Sequence, residues 1–170
     1  MFEAFDASGS GLWAERVRMT AIANNLANVH TTRNPLSERE PFRRKLTIFM
    51  EGNANNSNPD LGVTVHDIID DNAAPRVGYD PSHPDAVRFS DLFQVDEKGQ
   101  LTDKRRPEYE YLDAEGFDRL LSKVGYVEYP NIDPVMEMKD AMLAQRAYQA
   151  NVTCIEVSKQ LIHNSLQIIA

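Results

Sequence analysis

The sequence predicts an α+β fold: long N- and C-terminal helices paired as an antiparallel coiled coil, a small antiparallel β region, and a charged subdomain inserted at the surface. Three observations predict it. Positions 138, 141, 145, 148, 152, 155, 159, 162, 166 and 169 alternate steps of three and four and read Met, Ala, Gln, Tyr, Val, Ile, Lys, Ile, Leu and Ile. That is a heptad seam with Gln145 and Lys159 as polar interruptions. Positions 2, 5, 9, 12, 16, 19, 23 and 26 repeat the spacing with Phe, Phe, Gly, Leu, Arg, Met, Ala and Leu. Between the two stripes lie short runs of bulky and β-branched residues separated by Gly, Pro, Asn and Asp, the punctuation of short strands and turns.

Taken in order, the first helix is expected over Leu12–Asn28, with Ile22 and Val29 widening its stripe. Ser8-Gly9-Ser10-Gly11 is either its flexible entry or a point of close helix contact, because each internal Gly costs about 1 kcal/mol against Ala and needs a packing reason. The helix breaks within His30–Pro35, since the residue before a proline disfavours the α region. Phe42–Met50, Val63–Ile69 and Pro75–Tyr79 read as three short strands of a small antiparallel sheet or hairpin unit, with Gly52–Asp60 a loop and Asp80–Asp85 a rigid turn. Charged residues dominate from Val87 to Val124. There Phe89–Val95 and Glu108–Leu112 read as strands and Glu115–Lys123 as a short helix. Gly125–Pro130 returns in extended form to the last helix, which Asp133 caps and Pro134 starts. No Gly or Pro follows Pro134. A helix of that span is roughly 55 Å long and needs a second long helix to cover its stripe. An ordinary two-helix hairpin closing a domain is the plainer version of the same reading. The segments are therefore 1–33, a helix of the coiled coil; 34–86, the β region; 87–124, the inserted subdomain; and 125–170, the return segment and the partner helix.

Composition narrows the function. With 18 Lys and Arg against 26 Asp and Glu the formal charge is −8, which argues against nucleic acid and anionic membranes as partners, both of which are held by basic residues. One cysteine, Cys154, rules out an internal disulfide framework; mid-helix beside the seam, it is expected to be a buried, inert thiol. No apolar run reaches the ~18 residues of a membrane span, and the first residues lack the basic-then-apolar order of a cleaved secretory signal.

Little in the chain carries chemistry. His30, His66, His83 and His163 lie in four separate contexts without metal-ligand spacing. Asp70-Asp71 ends a strand, where adjacent side chains face opposite ways, so a solvated strand end is the simpler reading. His83-Pro84-Asp85 matches a co-chaperone tripeptide, but follows a strand rather than joining two helices. A metal-dependent enzyme would have to assemble Asp70, Asp71, His83 and Asp85. No phosphate-binding glycine loop or nucleophile elbow is present. Arg43-Arg44-Lys45 and Lys104-Arg105-Arg106 read as solvated strand faces or interface charge. No cofactor, catalytic residue or metal ligand is expected.

Resemblance goes further. Ser8–Leu12, Ala14, Arg18, Met19, Asn24, Asn25, Ala27, Asn28, Val29 and Thr31 match a segment that flagellar rod and hook proteins share, and Gln145-Arg146-Ala147-Tyr148-Gln149-Ala150-Asn151 is similar to their C-terminal block. Tyr79–Ala86, Gly125-Tyr126-Val127 and Pro130–Asp133 resemble the proximal-rod members of that family. In those the His-Pro-Asp-Ala block runs within a few residues into Gly-Tyr-Val, whereas here residues 87–124 intervene.

The resemblance implies a structural subunit of the proximal rod, a drive-shaft tube in the periplasmic part of the flagellar basal body. Export would run through the flagellar type III system without a cleaved signal. The implied partners are other rod subunits, the protein joining the rod to the membrane ring, and further copies of the chain, with no nucleic acid or small-molecule substrate. A hook or distal-rod subunit is the alternative address. The subunit interface is expected at Leu12, Arg18, Met19, Asn24, Asn25, Asn28, Gln145, Arg146, Tyr148 and Asn151. The asparagine run costs helix propensity, so its amides are expected either to bond neighbouring subunits' backbones or to cap the helix locally.

Overall fold

In the computed structural model the backbone is described for residues 2–36, 41–52, 62–96 and 99–169. Positions 53–60 of the expected loop and the side chains of Phe2 and Ile169 lie outside the described residues. Two compact units form: one from 1–29, 43–72 and 132–170, the other from 30–42 and 73–131.

The first unit is built on the terminal helices, α1 (Phe2–Ala27) and α4 (Pro134–Ile169). Asp133 caps α4 as expected: its Oδ1 accepts the Val135 N–H at 2.9 Å, and its carbonyl accepts the Glu137 N–H at 3.0 Å. Helix α1 begins well before Leu12 and takes the Ser-Gly-Ser-Gly run into its body. The helices run antiparallel, with Asn25 beside Glu137 at one end and Gly11 beside Asn151 further along.

Half of the expected stripe holds: Phe5, Leu12, Met19, Ala141, Tyr148, Val152, Ile155 and Ile162 are half-buried, whereas at Gly9, Arg16, Ala23, Leu26, Met138, Gln145 and Lys159 the residue one position earlier takes the inner place. On α1 the inner face is Ser8, Gly11, Ala14, Ala21, Ile22 and Asn25, while Gly9, Arg16, Ala23 and Leu26 are exposed. On α4 it is Glu137, Ala141, Ala144, Tyr148, Asn151, Ile155 and Ser158, while Met138, Gln145 and Lys159 face outward. Gln145 and Lys159 are therefore not seam interruptions. The reason is steric: the helices approach through small residues, so the large apolar side chains that mark a seam in sequence fall partly on the outer face. A Cβ built on Gly11 would lie 2.8 Å from Asn151 Nδ2, which is the packing reason for that glycine. The other, Gly9, has open space around it.

Strands β1 (Lys45–Glu51) and β2 (Val63–Asp70) form an antiparallel hairpin on α1, with a bulge between Ile48 and Phe49. Ser10 fastens the hairpin to α1, its Oγ accepting the Val63 N–H at 3.0 Å and donating to Ala7 O at 2.8 Å.

In the second unit β3 (Arg76–Tyr79) pairs antiparallel with β6 (Tyr126–Tyr129). Of the two expected arrangements the hairpin forms, from β1 and β2, and not a three-stranded sheet, because β3 joins the return segment. Pairing across so long a loop is decided by packing that local pattern does not show. Gly125, at φ +82°, sits under the Tyr79 ring, where a Cβ would approach Cε2 to 2.6 Å. Both conditions exclude a side chain.

Between β3 and β6 lie α2 (Phe89–Leu92), β4 (Phe93–Val95), β5 (Leu101–Arg105) and α3 (Ala114–Leu121). The first expected strand, Phe89–Val95, is thus half helix. Glu108–Leu112 is no strand: Pro107–Tyr109 is a 3-10 turn, started by a proline that supplies no N–H to a ladder. The unexpected strand β5 pairs with β4. Leu92 and Phe117 are buried here, with the Arg105 guanidinium 4.1 Å from the Phe117 ring centre.

Candidate assembly interface

Three places bear on the expected interface: a buried polar cluster, the close helix approach, and the outer faces of the helices. The cluster joins α1, β1 and α4. Asn25 is 1% exposed, and its amide is fully engaged: Nδ2 donates to Lys45 O (2.9 Å) and Glu137 Oε2 (3.0 Å), and Oδ1 accepts the Lys45 N–H (2.8 Å). It pairs with β1 as a neighbouring strand would. Glu137, also 1% exposed, accepts from Arg44 Nε at 2.6 Å on its other oxygen, and Arg44 Nη2 reaches Asp140 at 3.3 Å. A buried carboxylate with both oxygens bonded and a guanidinium beside it meets the condition under which burying charge is tolerable. A cavity of about 270 Å³ opens beside the cluster, lined by Arg18, Ile22, Arg44, Phe49, Glu137 and Asp140 among others.

Of the two alternatives for the asparagine run, a neighbour's backbone or a local cap, Asn25 takes neither: its amide is used on Lys45 and Glu137 of its own chain. Asn28 bonds locally, Nδ2 to Asn24 O at 2.8 Å, over the last turn of α1. Asn24, Gln145 and Arg146 are exposed, and Leu12, Arg18, Met19, Asn28, Tyr148 and Asn151 are half-buried. Glu137 was not anticipated, and Arg44, expected as a solvated strand face or interface charge, is instead half-buried and bonded to Glu137 and Asp140. The signal available for Glu137 was its place in a 137, 144, 151, 158 heptad of small and polar residues, which a search for large apolar side chains passes over.

The outer face of α4 is apolar near both ends. Val135, Met138, Met142 and Leu143 are exposed in its first turns and Val157, Leu161 and Leu166 in its last ones, as is Trp13 on α1. Cys154 is exposed and not the buried thiol expected, because it lies about a quarter turn from the inner face set by Asn151, Ile155 and Ser158.

The remaining candidates for chemistry resolve into local structure. Asp70 pairs with Lys45 Nζ at 3.0 Å. Asp85 accepts from the Thr32 hydroxyl, and its N–H donates to His83 Nδ1 at 3.1 Å, so His-Pro-Asp closes a turn. Asp80 accepts from the Ser82 hydroxyl at 2.7 Å and the Ser82 N–H at 3.2 Å, and these two bonds hold its carboxyl below the ordinary 3.8. Among the described residues no group of three or more His, Cys, Asp or Glu is placed to hold a metal, and no helix is long and apolar enough to cross a membrane.

Comparison with known proteins accords with the sequence motifs. Residues 5–33 match the family described as flagella basal body rod protein, and residues 123–168 match the flagellar basal body rod FlgEFG protein C-terminal family. The chain is 32% identical to the flagellar basal-body rod protein FlgC of Borreliella burgdorferi, over 99% of its own length and 97% of the relative's. It is 31% identical to FlgC of Bacillus subtilis (98% and 97% covered) and 30% identical to FlgC of Escherichia coli O157:H7 (98% and 96%).

Proposed function

The chain belongs to the FlgC family of flagellar basal-body rod proteins, and from that premise we propose how its parts serve as a structural rod subunit. The observation that carries the proposal is the two-sided α4. Its inner face packs on α1, while Val135, Met138, Met142, Val157 and Leu161 remain exposed on the other side. Isolated apolar residues on a surface need no explanation, but groups of them clustered on one face of a helix mark a contact. In the rod, α1 and α4 act as an antiparallel coiled coil whose outer faces pack against neighbouring subunits. Contacts between unlike patches of successive subunits generate a helical tube.

The address is the proximal rod in the periplasm, reached through the flagellar type III route without a cleaved signal. The partners are other rod proteins, the protein joining the rod to the membrane ring, and further copies of the chain. Asn24, Gln145 and Arg146 supply polar contacts on the outer face. Leu12, Arg18, Met19 and Asn28 lie at its margins, Tyr148 and Asn151 set the spacing of the two helices from within the pair, and Asn25 holds the chain's own hairpin in place. Residues 87–124 form a surface subdomain inserted between the blocks typical of the family.

Cryo-tomography of cells lacking the gene tests this. The expected result is non-swimming cells whose basal bodies hold a membrane ring but no rod. A complete rod and hook in those cells would overturn it.

A further inference from the structure

We propose that the outer edge of β3 takes an added strand: an extended segment of a neighbouring rod subunit, with apolar or aromatic side chains at alternate positions. The inference rests on the rod-subunit reading and concerns a surface wholly within the second unit.

The backbone bonds around β6 show which β3 groups are unused. Glu128 exchanges both its backbone bonds with Arg33, at 3.0 Å each, on the side away from β3. Tyr126 likewise turns away, its carbonyl accepting the Val87 N–H and its N–H donating to Lys123 O. In an antiparallel ladder paired residues alternate between exchanging both bonds and exchanging none. Val77 and Tyr79 face Glu128 and Tyr126, so they are the non-bonded members, and their own N–H and C=O groups point outward. The bond from Asp80 N–H to Gly125 O at 2.9 Å keeps the same phase one step further on. Among the described residues nothing bonds the outward groups of Val77 and Tyr79.

The side chains complete the surface. Val77 and Tyr79 are 59% and 67% exposed and, two apart, share one face of the strand. Tyr79 meets Tyr126 edge-on with ring centres 5.2 Å apart. Val77, Tyr126 and Pro35 line a shallow groove of about 180 Å³ on the second unit. Unpaired edge groups are complementary to an extended backbone and to little else. A strand added there sets its residues opposite Val77 and Tyr79 onto this aromatic face. Natural edges are usually guarded by charge, proline or a bulge; Pro75 and Arg76 guard only the start of β3, leaving Val77 and Tyr79 open.

Proline separates edge pairing from folding, because at position 77 it removes an N–H that the chain itself does not use. The purified Val77→Pro chain should unfold at the same urea concentration as the parent, yet be missing from isolated basal bodies, with motility lost. Normal incorporation and swimming would overturn the proposal. Should Val77→Pro fail to fold, hydrogen exchange of the unaltered protein decides: the Val77 and Tyr79 amides should exchange rapidly in the free chain and at least about tenfold more slowly in isolated basal bodies. Equal rates in both, with the chain present in the basal bodies, would sink the added strand and leave the rod reading intact. Absence of the chain from basal bodies would sink both.

Discussion

Asn25 replaces an edge-strand partner for Lys45 and at the same time donates to a buried carboxylate. Truncating it would strand the Lys45 backbone groups and Glu137 Oε2 together. Leaving buried polar groups unpaired costs more than the bonds contributed, so Asn25→Ala should lower stability by about 2–3 kcal/mol in urea unfolding. Asn28→Ala, which removes a bond over an exposed helix end, should cost under about 1 kcal/mol. Equal losses at the two sites would show that the cluster is not the anchor it looks to be. Asp80 offers a pH test. Its folded pKa lies below 3.8 because of the Ser82 hydroxyl and then the Ser82 N–H. A depressed carboxyl stabilises the fold above its unfolded pKa and loses that contribution as pH falls through the folded value. The Ser82→Ala variant should therefore show an Asp80 titration moved upward toward 3.8 in an NMR pH series.

At the scale of elements, the paired helices make opposite demands of their two glycines. Gly9 has nothing within reach, whereas Gly11 lies against the tip of Asn151. Gly9→Ala should raise stability by about 0.5–1 kcal/mol through helix propensity alone. Gly11→Leu should lower it by about 1–3 kcal/mol by forcing the helices apart. Melting curves of the pair would test the close approach directly; similar shifts of the same sign would argue that α1 and α4 do not touch there. The flank of α4 offers a second test. Cys154 faces solvent, so in the isolated folded chain it should react with a thiol reagent at the rate of a free, unhindered cysteine.

For the whole molecule, the outer face of α4 separates folding from assembly. Met142 is 61% exposed, and Met142→Glu should change the stability of the isolated chain by no more than about 0.5 kcal/mol. On the proposed packing the same change would place a charge in a desolvated contact, and the expected outcome in cells is loss of the chain from basal bodies together with loss of swimming. A variant that swims normally would show that this face is not where neighbours pack.

The sequence by itself determined the two long helices, the Asp133 cap, the positions of β1, β2 and β3, the return strand and the family. These are legible because cap, proline and glycine chemistry and residue periodicity act over a few neighbours. Tertiary structure alone decided the phase of the helix faces, the partner of β3, and the Asn25–Glu137–Arg44 cluster. Each depends on residues far apart in the chain: Glu137 lies 112 positions from Asn25, and Gly11 of α1 lies against Asn151 of α4. Periodicity records which side chains are large and apolar. Which of them face inward is set by the small ones opposite, and a stripe built of Gly, Ala, Ser and Asn leaves no hydrophobic signal to read.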